Sequence, residues 1–395
     1  MNDDLGERFG STERQAWIAL ASVDRVGEET LGMLIAVFRS AERVLSAALD
    51  GGLARWNIER GKVLGRVPIP APTMTGIETA ARNPTSKLDA IAAVGLWTYT
   101  SLDADYPARL RGLDPPPAVI HGLGDRTTLS RPRAVAIVGT RRPTPSGRVL
   151  ATRIAGRLVE CGAVVVSGLA VGIDGAAHAA AVERAAPTVG VIGAGHKRPG
   201  PRAHARLRDE ILAAGGALIS EHHPGVGATK GTYPRRNRII AALGDATILV
   251  EAPRRSGALI TASRALEMGR PVFVAPGRIG DWAMAGSLAL LRETPARPIV
   301  GLDELTEDLG FLEPARDAGT ADTGTRLPAL DMLGPTERAV AQRLCDGPAG
   351  LDLLVAETGL PPGAISSAVT MLLIRGWAQS VGAAYIAAGP LLRSI

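Results

Sequence analysis

Aromatic residues make up only 3% of this 395-residue chain, so any surface that recognises a ligand by ring stacking has few rings to use. Lysine is rarer still. It supplies four of the 44 basic residues, and arginine supplies the rest; together with the many alanines this reads as a compositional bias without functional weight. No apolar run approaches the roughly 18 residues of a membrane-spanning helix. The opening MNDDLGERFG is acidic and polar, unlike a signal peptide, so a cytoplasmic protein with no membrane association is expected. Cys161 and Cys345 lie far apart in apolar periodic segments. They suit reduced core thiols and offer no zinc spacing. G-x-S-x-G, a P-loop lysine and paired carboxylates are all missing, so a non-catalytic protein without cofactors is expected. Glu251, at a predicted strand end, is the one carboxylate that invites a catalytic reading, and one carboxylate makes no mechanism. Asp174 and His178 stand four apart on a predicted helix, and His222 and His223 follow Glu221. Neither set has enough partners for a metal, and Asp174 is well placed as a helix N-cap.

What is present is an uneven distribution of charge. Residues 131–300 hold 24 basic and 11 acidic side chains, a net +13. Residues 1–130 carry a net −2 and residues 301–395 a net −6. The middle of the chain is therefore the candidate for binding a polyanion, and the flanks are poor ones.

The middle also has the clearest pattern. Short apolar runs at 134–138, 163–166, 188–192, 217–219, 246–250 and 271–274 alternate with helical periodicity at 146–160, 174–186, 203–214, 235–243 and 258–268. That alternation predicts an α/β fold: a Rossmann-like, doubly wound, mostly parallel sheet covered on both faces, with ligands expected in the crevice at the strand ends. Residues 12–50 and 75–94 read as amphipathic helices of a small domain, similar to a sterile-alpha-motif or helix-hairpin-helix unit, with a turn ending on Gly27. Residues 97–129 contain Pro107 and Pro115 to Pro117 and read as an extended lead-in. A polar stretch, 313–329, reads as a flexible linker. Three helical segments and a hairpin after it describe a winged helix. The expected domains are 1–95, 96–312 and 331–395, with 313–330 as linker.

Three stretches carry candidate binding chemistry. In RAVAIVGTRRPTPSG (133–147) a buried strand runs into Gly139, Thr140, Arg141 and Arg142 before a helix begins. Backbone N–H groups at such a turn favour an anion, and the next glycine is Gly147, so a dinucleotide fingerprint is excluded. In KGTYPRRNRII (230–240) Lys230, Arg235, Arg236 and Arg238 surround Tyr233 and Asn237. Guanidinium forks, one aromatic face and a helix start at Pro234 are the parts of a single-strand binder. In SGALIT (256–261) Ser256 suits a cap, and Gly257 permits close backbone approach.

Taken in order, VAIVGTRRPTPSG, VVVSGLAVGIDGAAH (164–178), LISEHHPG (218–225), YPRRNRIIAALGDATILVEA (233–252), SGALITA (256–262) and GRPVFVAPG (269–277) resemble the DprA family, also called Smf, over roughly residues 95–312. The upstream DADYPARL and DPPPAVIHGLGD are similar to the family's approach to its first strand. The resemblance implies a Rossmann-like domain that binds single-stranded DNA without sequence preference, dimerises, helps load RecA onto the strand and displaces single-strand-binding protein in natural transformation and recombination. Carried over by motif, it implies DNA contacts from Gly139, Thr140 and Arg141, from Ser167 and Gly168, and from Lys230, Tyr233, Arg235, Asn237 and Arg238; Arg142, Arg202 and Arg236 join them as neighbouring cations. Two departures stand out. Val171 occupies a place where the family often has a basic residue, and Gly200-Pro201 replaces a Tyr-Pro, with Arg202 beside it.

The alternative is a sensor of a nucleotide-derived ligand, or a nucleotide-processing enzyme, on the same fold. The phosphoribohydrolase motif PGG-x-GT-x-x-E is absent, since Pro276-Gly277 continues as RIGD. In the winged helix, 361–377 offers a DNA groove only Arg375, so that domain is expected to bind protein or fold back on the basic domain.

Overall fold

The computed structural model describes residues 10–62, 67–229, 231–311, 333–345, 347–381, 384–388 and 391. Its opening helices are α1 (Thr12–Ala21), α2 (Glu28–Phe38), α3 (Ala41–Leu49), α4 (Gly52–Lys62), α5 (Ala71–Arg82) and α6 (Thr85–Ala92). Ser11 and Ser40 cap α1 and α3, accepting N–H bonds from Arg14 and Arg43. Leu20, Leu31, Leu34, Val44, Leu53 and Ile77 close a small core. Helix α4 is an addition to the expected set; it buries only Leu53 and so has little apolar periodicity to read. The pattern over 75–94 is two helices rather than one. It parts at Asn83-Pro84, where proline's missing N–H and ring end α5.

The lead-in is also more structured than its prolines suggested. It folds as β1 (Trp97–Thr100), a single helical turn α7 (Ala108–Arg111) and β2 (Val119–Gly124). After it come β3 (Ala134–Val138), α8 (Pro145–Glu160), β4 (Val164–Ser167), α9 (Ile173–Val182), β5 (Thr188–Val191), α10 (Ala205–Ala213), β6 (Ala217–Ser220), α11 (Thr232–Leu243), β7 (Ala246–Leu249), α12 (Gly257–Glu267), β8 (Val272–Val274), α13 (Ala285–Glu293), β9 (Arg297–Pro298) and α14 (Leu302–Asp308). One sheet holds all nine strands in the order β1-β2-β6-β5-β4-β3-β7-β8-β9. The pairs β1/β2 and β2/β6 are antiparallel, and the rest are parallel.

Strand order follows from what each face can bury. Ala134, Ala136 and Val138 face one core with Ile239 and Ile240 of α11 and Ala262 of α12. Val135 and Ile137 face the other, with Ala151 and Ile154 of α8 and Ala177 and Ala180 of α9. Both faces are covered, so β3 reads as a continuous apolar run. From β3 the chain steps outward through β4, β5 and β6, then crosses back under α11 to place β7 on the other side of β3. The switch in winding direction therefore opens above the ends of β3, β4 and β7, where ligands usually sit in such sheets.

The chain divides into two compact units, Met1–Ala315 and Arg316–Ile395, so the helices and the sheet share one unit. The second contains α15 (Pro335–Cys345), α16 (Leu351–Thr358), α17 (Pro362–Ile374) and the antiparallel hairpin β10 (Ala378–Val381) and β11 (Ala384–Ala387). Val340, Leu344, Leu354, Ile365 and Leu372 form its core, and Ala349 bridges to Tyr385 at the hairpin edge. This is a winged helix. Its Arg375 lies 3.2 Å from Glu337. The expected linker, 313–330, lies outside the described residues. Among the described residues no helix is long and apolar enough to cross a membrane.

Candidate nucleic-acid interface

Gly139 to Thr144, between β3 and α8, is held from two sides. The Thr140 N–H donates to the Glu251 carbonyl at 2.7 Å, and the Thr140 carbonyl accepts from the Ile173 N–H at 3.3 Å. Glu251, buried at the end of β7, accepts from the Thr144 N–H at 2.9 Å and from its hydroxyl. The carboxylate that invited a catalytic reading is thus a brace for the loop. Gly172 completes the clamp. Its φ is +98°, and a Cβ there would meet the Thr140 carbonyl at 2.4 Å, so only glycine fits.

The second brace is Asp174. It is not the N-cap; Gly172 is, and Asp174 stands in the first turn of α9. Its carboxylate accepts from the Gly168 N–H at 3.1 Å and is also bonded by the backbone of Ala170 and Gly139. Burial pushes its pKa up, opposed by the nearby Arg236 guanidinium. Arg236 is itself buried and donates to the carbonyls of Gly168 and Val191. Its pKa is lowered by burial to about 10. The loop between β4 and α9 is shaped further by Leu169, whose φ of +56° is uncommon for a branched residue.

Above these braces lies a cleft of about 500 Å³, lined among others by Gly139 to Arg142, Tyr233, Asn237, Arg255, Ser256 and Trp282. A neighbouring cleft of about 470 Å³ runs over Gly168 to Val171, Gly193, Arg198 and Pro201. Arg141 and Tyr233 line both, so they form the wall between them. The Arg141 guanidinium sits 5.1 Å from the centroid of the Tyr233 ring, within cation–π range. Tyr233 in turn packs against Gly193, where a Cβ would lie 3.0 Å from the ring. Arg141 and Arg142 are exposed, as are Arg254 and Arg255 across the cleft. Among the described residues, no ion pair or hydrogen bond engages the guanidinium groups of these four, although the Arg142 N–H donates to the Thr140 hydroxyl at 3.2 Å. Asn237 donates to the Gly257 carbonyl at 3.1 Å, and Ser256 accepts from the Ala258 N–H as a cap; both settle the start of α12 beside the cleft.

The structure separates the residues that the sequence grouped. Gly139, Thr140, Arg141, Arg142, Tyr233 and Asn237 come together. Ser167 does not join them, because its side chain is fully buried and donates to the Ile137 carbonyl at 2.5 Å. Gly168 is likewise buried, with both backbone groups already bonded. Arg236 points into the protein, a correction to the expectation of a free guanidinium. Arg235 and Arg238 face away from the cleft. Arg238 lies 2.6 Å from Glu28 and 2.6 Å from Glu221; Arg235 pairs with Glu28 and lies 3.5 Å from Glu221. The reason is helical phase. Helix α11 begins at Thr232, before Pro234, so positions 233 and 237 share one face, and 235 and 238 share another. The Gly27 turn is covered by the same cluster, with the Arg235 guanidinium 2.9 Å from where a Cβ would stand. Arg202 is exposed next to Pro201 at the second cleft. Lys230 lies outside the described residues. Among the described residues no His, Cys, Asp and Glu side chains group to hold a metal ion.

The sequence-based set lacks Arg198, Arg255 and Trp282 of the clefts, and Arg254 beside them. Arg254 and Arg255 repeat the pattern of 139–142, a strand end, a basic pair and a capped helix, and that repeat is a signal the sequence does carry. Trp282 follows an irregular Gly-rich turn with no periodicity to place it.

Residues 97–310 match the family described as DNA recombination-mediator protein A, and residues 325–383 match the DprA winged helix domain. The DNA processing protein DprA of Bacillus subtilis is 39% identical over 215 residues, covering 54% of this chain and 72% of that protein. Protein Smf of a Synechocystis strain is 31% identical over 402 residues, covering 93% and 97%. Among solved structures, DNA processing protein A of Streptococcus pneumoniae aligns with a TM-score of 0.52 at 31% identity, over 67% of this chain and 95% of that one. The Helicobacter pylori protein, described for its single-stranded DNA binding mode, aligns with a TM-score of 0.50 at 30% identity, over 54% and 95%. With more than half of its length matched by that family, and relatives aligned over most of theirs, this chain belongs to the DNA recombination-mediator protein A family.

Proposed function

We propose that the chain binds single-stranded DNA without sequence preference along the two clefts, and that it acts as a non-catalytic recombination mediator. On this reading it is a cytoplasmic homodimer that helps load RecA onto the strand, in place of single-strand-binding protein, during DNA uptake and recombination. The observation that carries the reading is the wall formed by Arg141 and Tyr233 between the clefts, with Arg142, Arg254 and Arg255 exposed nearby. A cation stacked on a ring, with more arginines along a groove, suits a strand whose phosphates are neutralised and whose bases find a flat partner. None of these side chains offers a base-edge code, so sequence tolerance is expected. The family membership supports the mediator role, and the likeness to the Helicobacter pylori protein, which binds single-stranded DNA, supports the choice of ligand.

The test is a titration of the full chain with labelled single- and double-stranded oligonucleotides at two salt concentrations, read by anisotropy. Tighter binding of single strands, falling steeply with salt, is expected. Tight binding of a free nucleotide, with no affinity for either oligonucleotide, would overturn the reading.

A further inference from the structure

Trp282 is the one exposed aromatic side chain among the described residues, 66% accessible. Its neighbours are not loose. Asp281 caps its turn by accepting from the Ala283 N–H at 2.9 Å, and Ala283 and Met284 are buried. Met284 packs under Gly277, where a Cβ would strike it at 2.3 Å. The N–H groups of Gly286 and Ser287 donate to the Ala252 carbonyl at 2.8 and 3.0 Å, and the Ser287 hydroxyl accepts from the Ala252 N–H at 3.0 Å. The segment is therefore stapled to the end of β7, the strand end that also carries Arg254 and Arg255. An indole left in water on so well fixed a support is costly surface unless something covers it.

What covers it must suit the charge around it. On one side Trp282 lines the large cleft with Arg141, Arg255 and Tyr233. On the other it lines a smaller depression of about 280 Å³ with Arg254 and Arg292, alongside Asp281 and Glu293. A flat apolar ring flanked by guanidinium groups that have no ion-pair partner among the described residues fits an unpaired nucleobase whose flanking phosphates meet the arginines.

We infer that Trp282 is a second base-stacking platform, so that the bound strand passes from the Arg141–Tyr233 wall across the cleft to Trp282, with Arg254 and Arg255 holding the phosphates between. This rests on the proposed single-strand binding and extends it to a site of its own. It makes the occupied strand longer than the Tyr233 wall alone requires, and its affinity dependent on length.

The test uses the full chain, oligothymidylates of increasing length, and two readouts, anisotropy of a labelled oligomer and intrinsic tryptophan fluorescence. Trp282→Ala should bind long oligomers about 5- to 150-fold more weakly, the range for losing one stacked base, and should bind the shortest bound oligomers nearly as the parent does. Trp282→Phe keeps a ring. It should retain most affinity while losing the quenching that the parent shows on binding. Parent-like affinity and parent-like quenching in both variants would overturn the inference and leave the proposed function intact. A parent chain that binds no oligothymidylate would overturn both.

Discussion

Replacing Arg238 with alanine separates two roles that the sequence motif does not distinguish. If Arg238 is a DNA contact, the substitution weakens binding and leaves the fold alone. The structure assigns it to the fold. Its guanidinium lies 2.6 Å from Glu28 at the start of α2, 2.6 Å from Glu221 at the end of β6, and 3.1 Å from the Pro115 carbonyl. All three charged side chains are largely buried, Arg238 at 17% exposure, Glu28 at 12% and Glu221 at 5%. Removing it leaves two carboxylates facing each other with only Arg235, 43% exposed, to balance them. Breaking a buried pair in this way costs about 3–5 kcal/mol, and Arg235 places the expected value near the lower end. At about 2–4 °C per kcal/mol for a unit of this size, the first thermal transition should fall by roughly 6–12 °C.

The cost should depend on pH in a defined direction. Burial, together with the neighbouring Glu28, raises the pKa of Glu221 from 4.5 to about 7 even with Arg238 present. A raised folded-state pKa contributes stability that is fully present below the unfolded value and is lost as pH rises through the folded one. Without Arg238, which opposes the rise, Glu221 should hold its proton to higher pH still. The Arg238→Ala defect should therefore be larger at pH 8 than at pH 5.5, and Glu221→Gln should relieve part of it at pH 8. Calorimetric scans of the three proteins at both pH values, with anisotropy titrations alongside, check this. An unchanged transition temperature combined with a large loss of DNA affinity would refute the structural assignment.

Other outcomes follow from the same geometry. Arg141→Ala with Arg255→Ala should lower the slope of log affinity against log salt by about 1.4, at about 0.7 per lost phosphate contact on a single strand, without moving the thermal transition. Tyr233→Ala should cost about 1–3 kcal/mol of single-strand affinity as one stacked base is lost; parent-like binding would remove Tyr233 from the site. Gly172→Ala drives a Cβ into the Thr140 carbonyl at a φ of +98°, so it should lower both the melting temperature and the affinity, by about 1–3 kcal/mol in stability. His121 and His178, with pKa values lowered by burial to about 3, and His196, to about 4, are neutral in the folded chain. Their stability contribution is present above about 6.5 and is lost as pH falls toward 4 and then 3, with a limiting slope of about 4 kcal/mol per pH unit for the three together. Acid titration followed by circular dichroism measures that slope.

The sheet was legible because its parallel strands are buried on both faces: VAIV, VVVS and ATILV read as unbroken apolar runs, and their order in the chain carries the doubly wound topology. The antiparallel edge was not, since Trp97–Thr100 and Val119–Gly124 are separated by a proline-rich stretch and pair through backbone groups that composition does not reveal. The loop at Arg141 was legible as a strand end running into a basic turn. The second basic stretch was legible as charge but not as direction. Arg235 and Arg238 meet Glu28 across more than 200 residues of sequence, and no local pattern announces such a partner. Helical phase alone would have divided the stretch, because positions 233 and 237 cannot share a face with 235 and 238.

The excess of arginine over lysine, a compositional bias in the sequence, acquires a physical meaning at these positions. Arg236 sits between two strand ends and donates to two carbonyls, Gly168 and Val191, from inside the protein. Arg109 fastens Asp245 with two bonds, at 3.0 and 2.9 Å, and reaches the carbonyls of Arg131 and Pro132 as well. Arg270 reaches the Gly244 carbonyl. Arg109 uses several donors in a fixed plane, which an ammonium group does not supply. In the middle of the chain Arg236 and Arg270 therefore spend their charge on backbone carbonyls, and Arg235 and Arg238 spend theirs on Glu28 and Glu221. Net charge by itself overstates the surface open to a polyanion, and the arginines to weigh are those near the clefts without acidic partners among the described residues: Arg198 and Arg202 beside the second cleft, and Arg141, Arg142, Arg254 and Arg255. The last four stand on the loops after β3 and β7, the two strands flanking the switch in winding, which ties the proposed binding charge to the topology, and the buried carboxylates Asp174 and Glu251 brace the backbone beneath it.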